Sequence, residues 1–153
     1  MAIPPQIERL HRIASELVST PKLTPESVSA TCAVELREID CTTPQVRELQ
    51  GCPIDGPFSI VSLRLPRTGH DAATPSLILT PRAGARFYQS DLEGDFTFGR
   101  DLIRIDPRIK PEGTITFQEQ RGTTTLVFEF TGRSRLLRKL TVRQDRWSAS
   151  EVS

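Results

Sequence analysis

The sequence predicts an α+β fold: an antiparallel sheet with an N-terminal helix and further short helices packed on one face. Three observations predict it. Residues 113 to 144, GTITFQEQRGTTTLVFEFTGRSRLLRKLTVRQ, contain three runs in which apolar and polar residues nearly alternate, separated by glycine-centred turns. Residues 7 to 18 place Ile7, Leu10, Ile13, Ala14, Leu17 and Val18 at spacings of three and four, the stripe of an amphipathic helix. Thr24-Pro25-Glu26 has the form of a helix start, with an N-cap, a proline at the first helical position and an acid in the first turn.

In chain order, the first helix is expected over residues 5 to 19, preceded by Pro4-Pro5 and stopped by Ser19-Thr20-Pro21. A Glu8 to Arg12 pair on its polar face adds only about 0.2–0.5 kcal/mol, so packing of the apolar stripe must hold it. The segment TPESVSATCAVELREI reads both as a helix start and, through Val28, Ala30, Cys32, Val34 and Leu36, as a strand. A short helix over 25 to 31 running into a strand over 34 to 39 honours both signals. TTPQVRELQGC repeats the helical opening with Thr43 as cap, Pro44 at the first position and Gly51 as stop, which predicts a helix of two turns at most.

PFSIVSLRLP then reads as a strand whose apolar phase slips between Ile60 and Val61, the mark of a bulge, and SLILT as its hairpin partner across a long polar tip. YQSDLEGDF suits a short helix, DLIRID a strand and PRIKPEG a loop. In the closing meander Ile115, Phe117, Leu126, Phe128, Phe130, Leu140 and Val142 belong to a core face. Thr114, Thr116, Thr125, Glu129, Thr141 and Arg143 belong to the opposite, solvent-facing side.

The chain of 153 residues has the size of one domain, or of two small modules sharing a core. Each half runs helical turn, short strand, proline-rich loop and paired strands, so tandem helix-plus-sheet modules at 23 to 81 and 89 to 144 and a single α+β domain over 1 to 153 both stay open. A hydrophobic fraction of 37% and a charged fraction of 25% are those of a soluble globular chain, with no apolar run long enough to span a bilayer. The start, MAIPPQIERLH, has none of the regions of a signal peptide. That points to the cytoplasm, with a periplasmic or secreted location left open should a leader have been removed.

LTPESV opening a short helix, then GPFSIVSLRLP and SLILTPRAG, and finally TITFQEQ, TLVFEFTG and LLRKLTVRQ carry a resemblance. Over most of residues 23 to 144 this pattern resembles the small helix-plus-sheet modules of bacterial β-lactamase inhibitor proteins and outer-membrane assembly lipoproteins. The resemblance implies a binding module and not an enzyme. The chain departs from those groups in lacking a lipobox and in carrying an additional N-terminal helix.

Motifs for chemistry are sparse. The two histidines, His11 and His70, are far apart in sequence, and His70 beside Asp71 in TGHDAA reads as a turn feature. Asp91 with Glu93 and Asp101 with Asp106 read as loop carboxylates. No phosphate-binding glycine loop or nucleophile elbow occurs. No catalytic residue, metal site or cofactor is therefore predicted. Of the three cysteines none forms a closely spaced pair. Cys41 and Cys52 are the candidates for a disulfide in an oxidising compartment, and in a cytosol all three would be small buried hydrophobes.

Arginine supplies nearly all the positive charge, with only Lys22, Lys110 and Lys139 as lysines, and the formal net charge is +1. Arg133, Arg135, Arg138, Lys139, Arg143 and Arg146 crowd the last hairpin and tail. Two readings follow: charges guarding an edge strand against aggregation, or a face that meets an acidic partner surface. With one Trp and one Tyr for stacking, nucleic acid is the weaker partner. The sequence thus points to a non-enzymatic protein-binding role, an inhibitor or immunity-type protein blocking a bacterial partner such as a toxin or secreted enzyme. The alternative is a small-ligand-binding or enzymatic α+β domain with a pocket between helix and sheet.

Overall fold

The computed structural model describes residues 4–39, 46–66, 75–93, 96, 102–106 and 113–144, the side chains of 4, 5 and 102–106 excepted. Two helices come first, α1 (Pro4–Ser19) and α2 (Pro25–Cys32). Four strands follow: β1 (Arg37–Ile39), β2 (Val46–Gly51), β3 (Phe58–Pro66) and β4 (Ser76–Pro81). A single helical turn, α3 (Gln89–Leu92), leads to β5 (Leu102–Asp106), β6 (Thr114–Arg121), β7 (Thr124–Thr131) and β8 (Leu137–Gln144). All eight strands pair antiparallel in the order β1-β2-β3-β4-β8-β7-β6-β5, two four-stranded meanders joined through their last strands. The fold is α+β with an antiparallel sheet.

The register carries apolar rungs straight across the join. Leu49, Leu63, Leu77, Val142 and Leu126 are successive partners, as are Val61, Leu79, Leu140, Phe128 and Phe117. All ten are buried in one core with Leu10, Ile13, Ala14 and Leu17 of α1 and Val28 and Cys32 of α2, apart from Leu49, which is buried but stands outside that cluster. Alternation along the strands therefore gives one apolar face, which the helices cover. Among the described residues no helix is long and apolar enough to cross a membrane.

Helix α2 begins as the sequence indicates. The Thr24 hydroxyl accepts from the Ser27 amide at 3.1 Å and the Ser27 hydroxyl accepts from the Thr24 amide at 3.0 Å, a reciprocal cap. It ends at Ala33, in the left-handed region at φ 52°. The Glu8 to Arg12 ion pair expected on α1 is not formed, although the two stand one turn apart.

Three expectations need correction. Residues 46 to 51 form a strand where a helix was predicted, because two isolated turns have little stability of their own whereas β2 pairs with β3 along its whole length. Thr43 and Pro44, the predicted helix start, lie outside the described residues. Gly51 is no helix stop: a Cβ there would lie 2.3 Å from the Glu35 carbonyl oxygen, so glycine permits a close backbone approach. The bulge in β3 falls at Ser59, between Phe58 and Ile60, one residue earlier than the phase slip suggests. Phe58 and Val61 both face the core, and an odd spacing between two inward residues requires the extra residue there. Finally, Thr114 and Thr125 take the outer face as expected but are buried there and not solvent-exposed, the Thr125 hydroxyl donating to the Gln120 side chain at 2.9 Å.

Candidate functional site

The outward side chains of β2, β3, β4, β8, β7 and β6 form polar rungs. Glu48, Arg64, Ser76, Arg143, Thr125 and Gln120 are successive partners along one, and Lys139, Glu129 and Thr116 along another. Between them Thr141 pairs with Val127, and Val127 with Gln118. Around this point the sheet is hollowed: Gln118, Val127, Glu129, Lys139, Thr141 and Arg143 line a depression of about 270 Å³. Strands fix these side chains more firmly than loops would. Lys139 approaches Glu129 at 3.8 Å, and Arg64 holds Glu48 at 3.0 Å.

The predicted partner-facing residues therefore divide. Lys139 and Arg143 stand on the outer face. Arg138 is the extra residue of a bulge, since Glu129 pairs with Lys139 and Phe130 with Leu137, and its side chain is exposed. Arg133 and Arg135 belong to the β7–β8 turn at one end of the sheet, where the Arg135 guanidinium donates to the Gln89 side chain at 3.0 Å. Arg146 lies outside the described residues. The edge-guard reading of this basic strand is overturned, because β8 has β4 on one side and β7 on the other. The charges on β8 protect no edge. Salt-bridged charge does occupy the true edge at β1, where Arg47 of the neighbouring strand holds Glu38 at 3.1 Å.

The few candidates for chemistry have structural partners. His11 packs edge-on against Phe96 at 5.5 Å between ring centroids. Asp91 accepts from the Tyr88 amide at 3.0 Å and so caps α3. The side chain of Asp106, together with His70, Asp71 and Asp101, lies outside the described residues. Cys32 is buried, and burial, with the Glu16 charge adding to it, pushes its thiol up to about 12. Cys52 is exposed, and Cys41, its predicted disulfide partner, lies outside the described residues. Among the described residues no group of three or more His, Cys, Asp or Glu side chains is placed to hold a metal ion.

Sequence reasoning missed two arrangements. Glu119 faces the core side of β6, where Arg121 pairs with it and lays its guanidinium 4.9 Å from the centroid of Phe96. The loop between β2 and β3 is clamped by Arg82, which donates to the carbonyls of Pro53, Gly56 and Phe58 at 3.0–3.1 Å, and by Arg9, which pairs with Asp55 at 3.3 Å. Only the density of arginine hinted at these roles. Comparison with known proteins finds no matching family model, no matching curated protein and no matching solved structure.

Proposed function

We propose that this chain is a protein-binding module of the inhibitor or immunity type, whose partner docks on the outer face of the sheet. In this reading no residue is catalytic. The observation that supports it is the hollow on β6, β7 and β8, where Lys139 and Arg143 rise among Gln118, Thr141 and Val127. Such a face offers hydrogen bonds, charge and one apolar contact from rigid strands, the mixture on which protein interfaces are built. The sharper form of the proposal is that the partner is a bacterial toxin or secreted enzyme whose active site the face covers. The chain is read as a single α+β domain, within which 23 to 81 and 89 to 144 are two halves with mirrored strand order about the β4–β8 join.

The test is a pull-down with the purified chain against the same chain carrying Lys139→Glu and Arg143→Glu. A protein retained by the first and lost by the second is expected, and adding the unaltered chain to that protein's own assay should suppress its activity. Equal retention by both removes the outer face from the proposal, and undiminished activity removes inhibition.

A further inference from the structure

Six basic side chains are paired with a described carboxylate. Arg9 pairs with Asp55, Arg37 with Glu35, Arg47 with Glu38, Arg64 with Glu48, Arg121 with Glu119 and Lys139 with Glu129. Arg86, Arg135 and Arg138 are exposed and have no carboxylate partner among the described residues. Arg12 and Lys22 share that condition but stand on α1 and in the link after it.

Arg86 is distant from the other two only in sequence. Tyr88 bridges Leu136 in antiparallel fashion, the Leu137 amide donates to the Phe87 carbonyl at 2.7 Å, and the Gln89 amide donates to the Arg135 carbonyl at 2.8 Å. Arg86 and Arg138 thus each adjoin the hydrogen-bonded contact between Phe87 and Leu137, and Arg135 meets the backbone of Gln89 in the same contact.

This gathering runs against stability. Arg86 at φ 50° and Arg135 at φ 58° both occupy left-handed backbone, where a side chain is strained and glycine is not. Like charges gathered on adjoining segments repel. Strain and repulsion held at one spot mark a place where the charges are used.

We infer that Arg86, Arg135 and Arg138 anchor a carboxylate-rich segment of a protein partner. This rests on the protein-binding reading above and names the chemistry of the partner. The planar guanidinium accepts a carboxylate through two parallel hydrogen bonds. Arg135 lines a hollow of about 290 Å³ together with Tyr88, Gln89, Ser90, Glu93 and Ser134. Its hydroxyls offer hydrogen bonds to the segment's backbone, while Glu93 disfavours a compact phosphate buried there. A formal net charge of +1, and the carboxylates that pair with Arg47, Arg64 and Lys139, disfavour a nucleic-acid backbone as the ligand.

The probe is a fluorescein-labelled hexaglutamate peptide, followed by fluorescence anisotropy at low salt. The variant Arg86→Gly, Arg135→Gly, Arg138→Gln should bind at least about tenfold more weakly, each exposed ion pair contributing up to about fivefold. Its melting temperature should equal or exceed that of the unaltered chain, since glycine relieves the left-handed backbone. A control with the same loss of charge, Arg12→Gln, Lys22→Gln, Arg37→Gln, should stay within about twofold. Should the glycines unfold the chain, Arg138→Gln alone carries the test with a loss of about two- to fivefold. Equal weakening in the control, no binding by the unaltered chain, or a lower melting temperature with unchanged binding would each overturn the inference. So would single-stranded DNA of equal charge binding more tightly than the peptide and being lost in the same variant. Because the peptide is synthetic, a negative result removes this anchor and leaves the outer-face reading standing on its own pull-down.

Discussion

The two halves of the sheet meet the same packing requirement with different side chains. In β2, β3 and β4 the inward residues are aliphatic but for Phe58 at the start of β3, namely Leu49, Val61, Leu63, Leu77 and Leu79, and α2 contacts β3. In β6 and β7 they include Phe117, Phe128 and Phe130, and Phe87 and Phe96 join them from the segments between strands. The rings of Phe96 and Phe128 lie 4.7 Å apart and those of Phe117 and Phe130 6.0 Å apart, with His11 of α1 against Phe96. A single turn, α3, is the only helix in the sequence of the second half among the described residues. Beneath α1, which reaches this half through His11, aromatic rings of about 150–250 Å² each supply the thickness that α2 supplies in the first half. A meander needs a cover, and helices and phenylalanines are interchangeable ways of providing one.

The largest expected effect tests that statement. Phe128→Ala removes the ring on which Phe96 packs and should cost about 3–5 kcal/mol, with Leu63→Ala costing less within about 2–5 kcal/mol because α2 can settle toward β3. Urea unfolding of the two variants measures both. An unchanged midpoint for Phe128→Ala would break the register of the closing meander, and the reverse order of the two costs would break the comparison.

Legibility in the sequence follows the same division. The closing meander was readable because its strands alternate apart from the bulge at Arg138 and glycine-centred turns separate them, so the seven residues from Ile115 to Val142 assigned to the core are all buried. Helix α2 was readable through its local Thr24-Pro25 start. The strand β2 was not, because its evident signals were local and helical, whereas its stability comes from pairing with β3. Nor was the place of β8 between β4 and β7 readable, because that join connects residues some sixty apart, as Leu77 with Val142, and no local pattern encodes it. For the same reason sequence alone grouped Arg133 to Arg143 as one face and left out Arg86, which backbone pairing brings in.

A second expectation concerns how the first half is tied to the second. The buried side chain of Gln144, at the end of β8, accepts from the Leu23 amide at 2.6 Å and donates to the Thr20 carbonyl at 3.0 Å. It anchors the link between α1 and α2 to the aromatic half. Gln144→Leu keeps the bulk and removes both bonds, and should cost about 1–3 kcal/mol through unsatisfied buried groups. Amide exchange at Leu23 should quicken; exchange as slow as before would show that α1 is held over the second half by apolar packing alone.

The aliphatic half contains a titratable group that sharpens the contrast. Folded Cys32 keeps its proton up to about 12 while the unfolded thiol loses it near 9.0. Below 9.0 both states are protonated and the thiol has no effect on stability. Between 9.0 and 12 the unfolded state releases a proton that the folded state retains, so stability falls as pH rises, by about 1.4 kcal/mol per pH unit. Comparing urea midpoints at pH 8 and pH 10, Cys32→Ala should show a smaller alkaline loss than the unaltered chain. Parallel losses would mean that the thiol is solvated and that the α2 side of the core is looser than the aromatic side.

The smallest effect lies at the point where α2 hands the chain to the sheet. Ala33 ends the helix in left-handed backbone at φ 52°, and the Val34 amide donates to the Ser29 carbonyl at 3.2 Å. Alanine there bears a steric cost of about 1–2 kcal/mol that glycine avoids. Glycine in turn loses more freedom on folding, by about 0.5–1 kcal/mol. The difference favours Ala33→Gly by a few tenths to about 1 kcal/mol, and since Ala33 is exposed the lost methyl offsets little of it. A small rise in the urea midpoint with unchanged slope is expected. A fall would mean that the methyl packs against the chain near Gly51, where space is tightest, and that the aliphatic half depends on close fit at its margin as much as the aromatic half does on its rings.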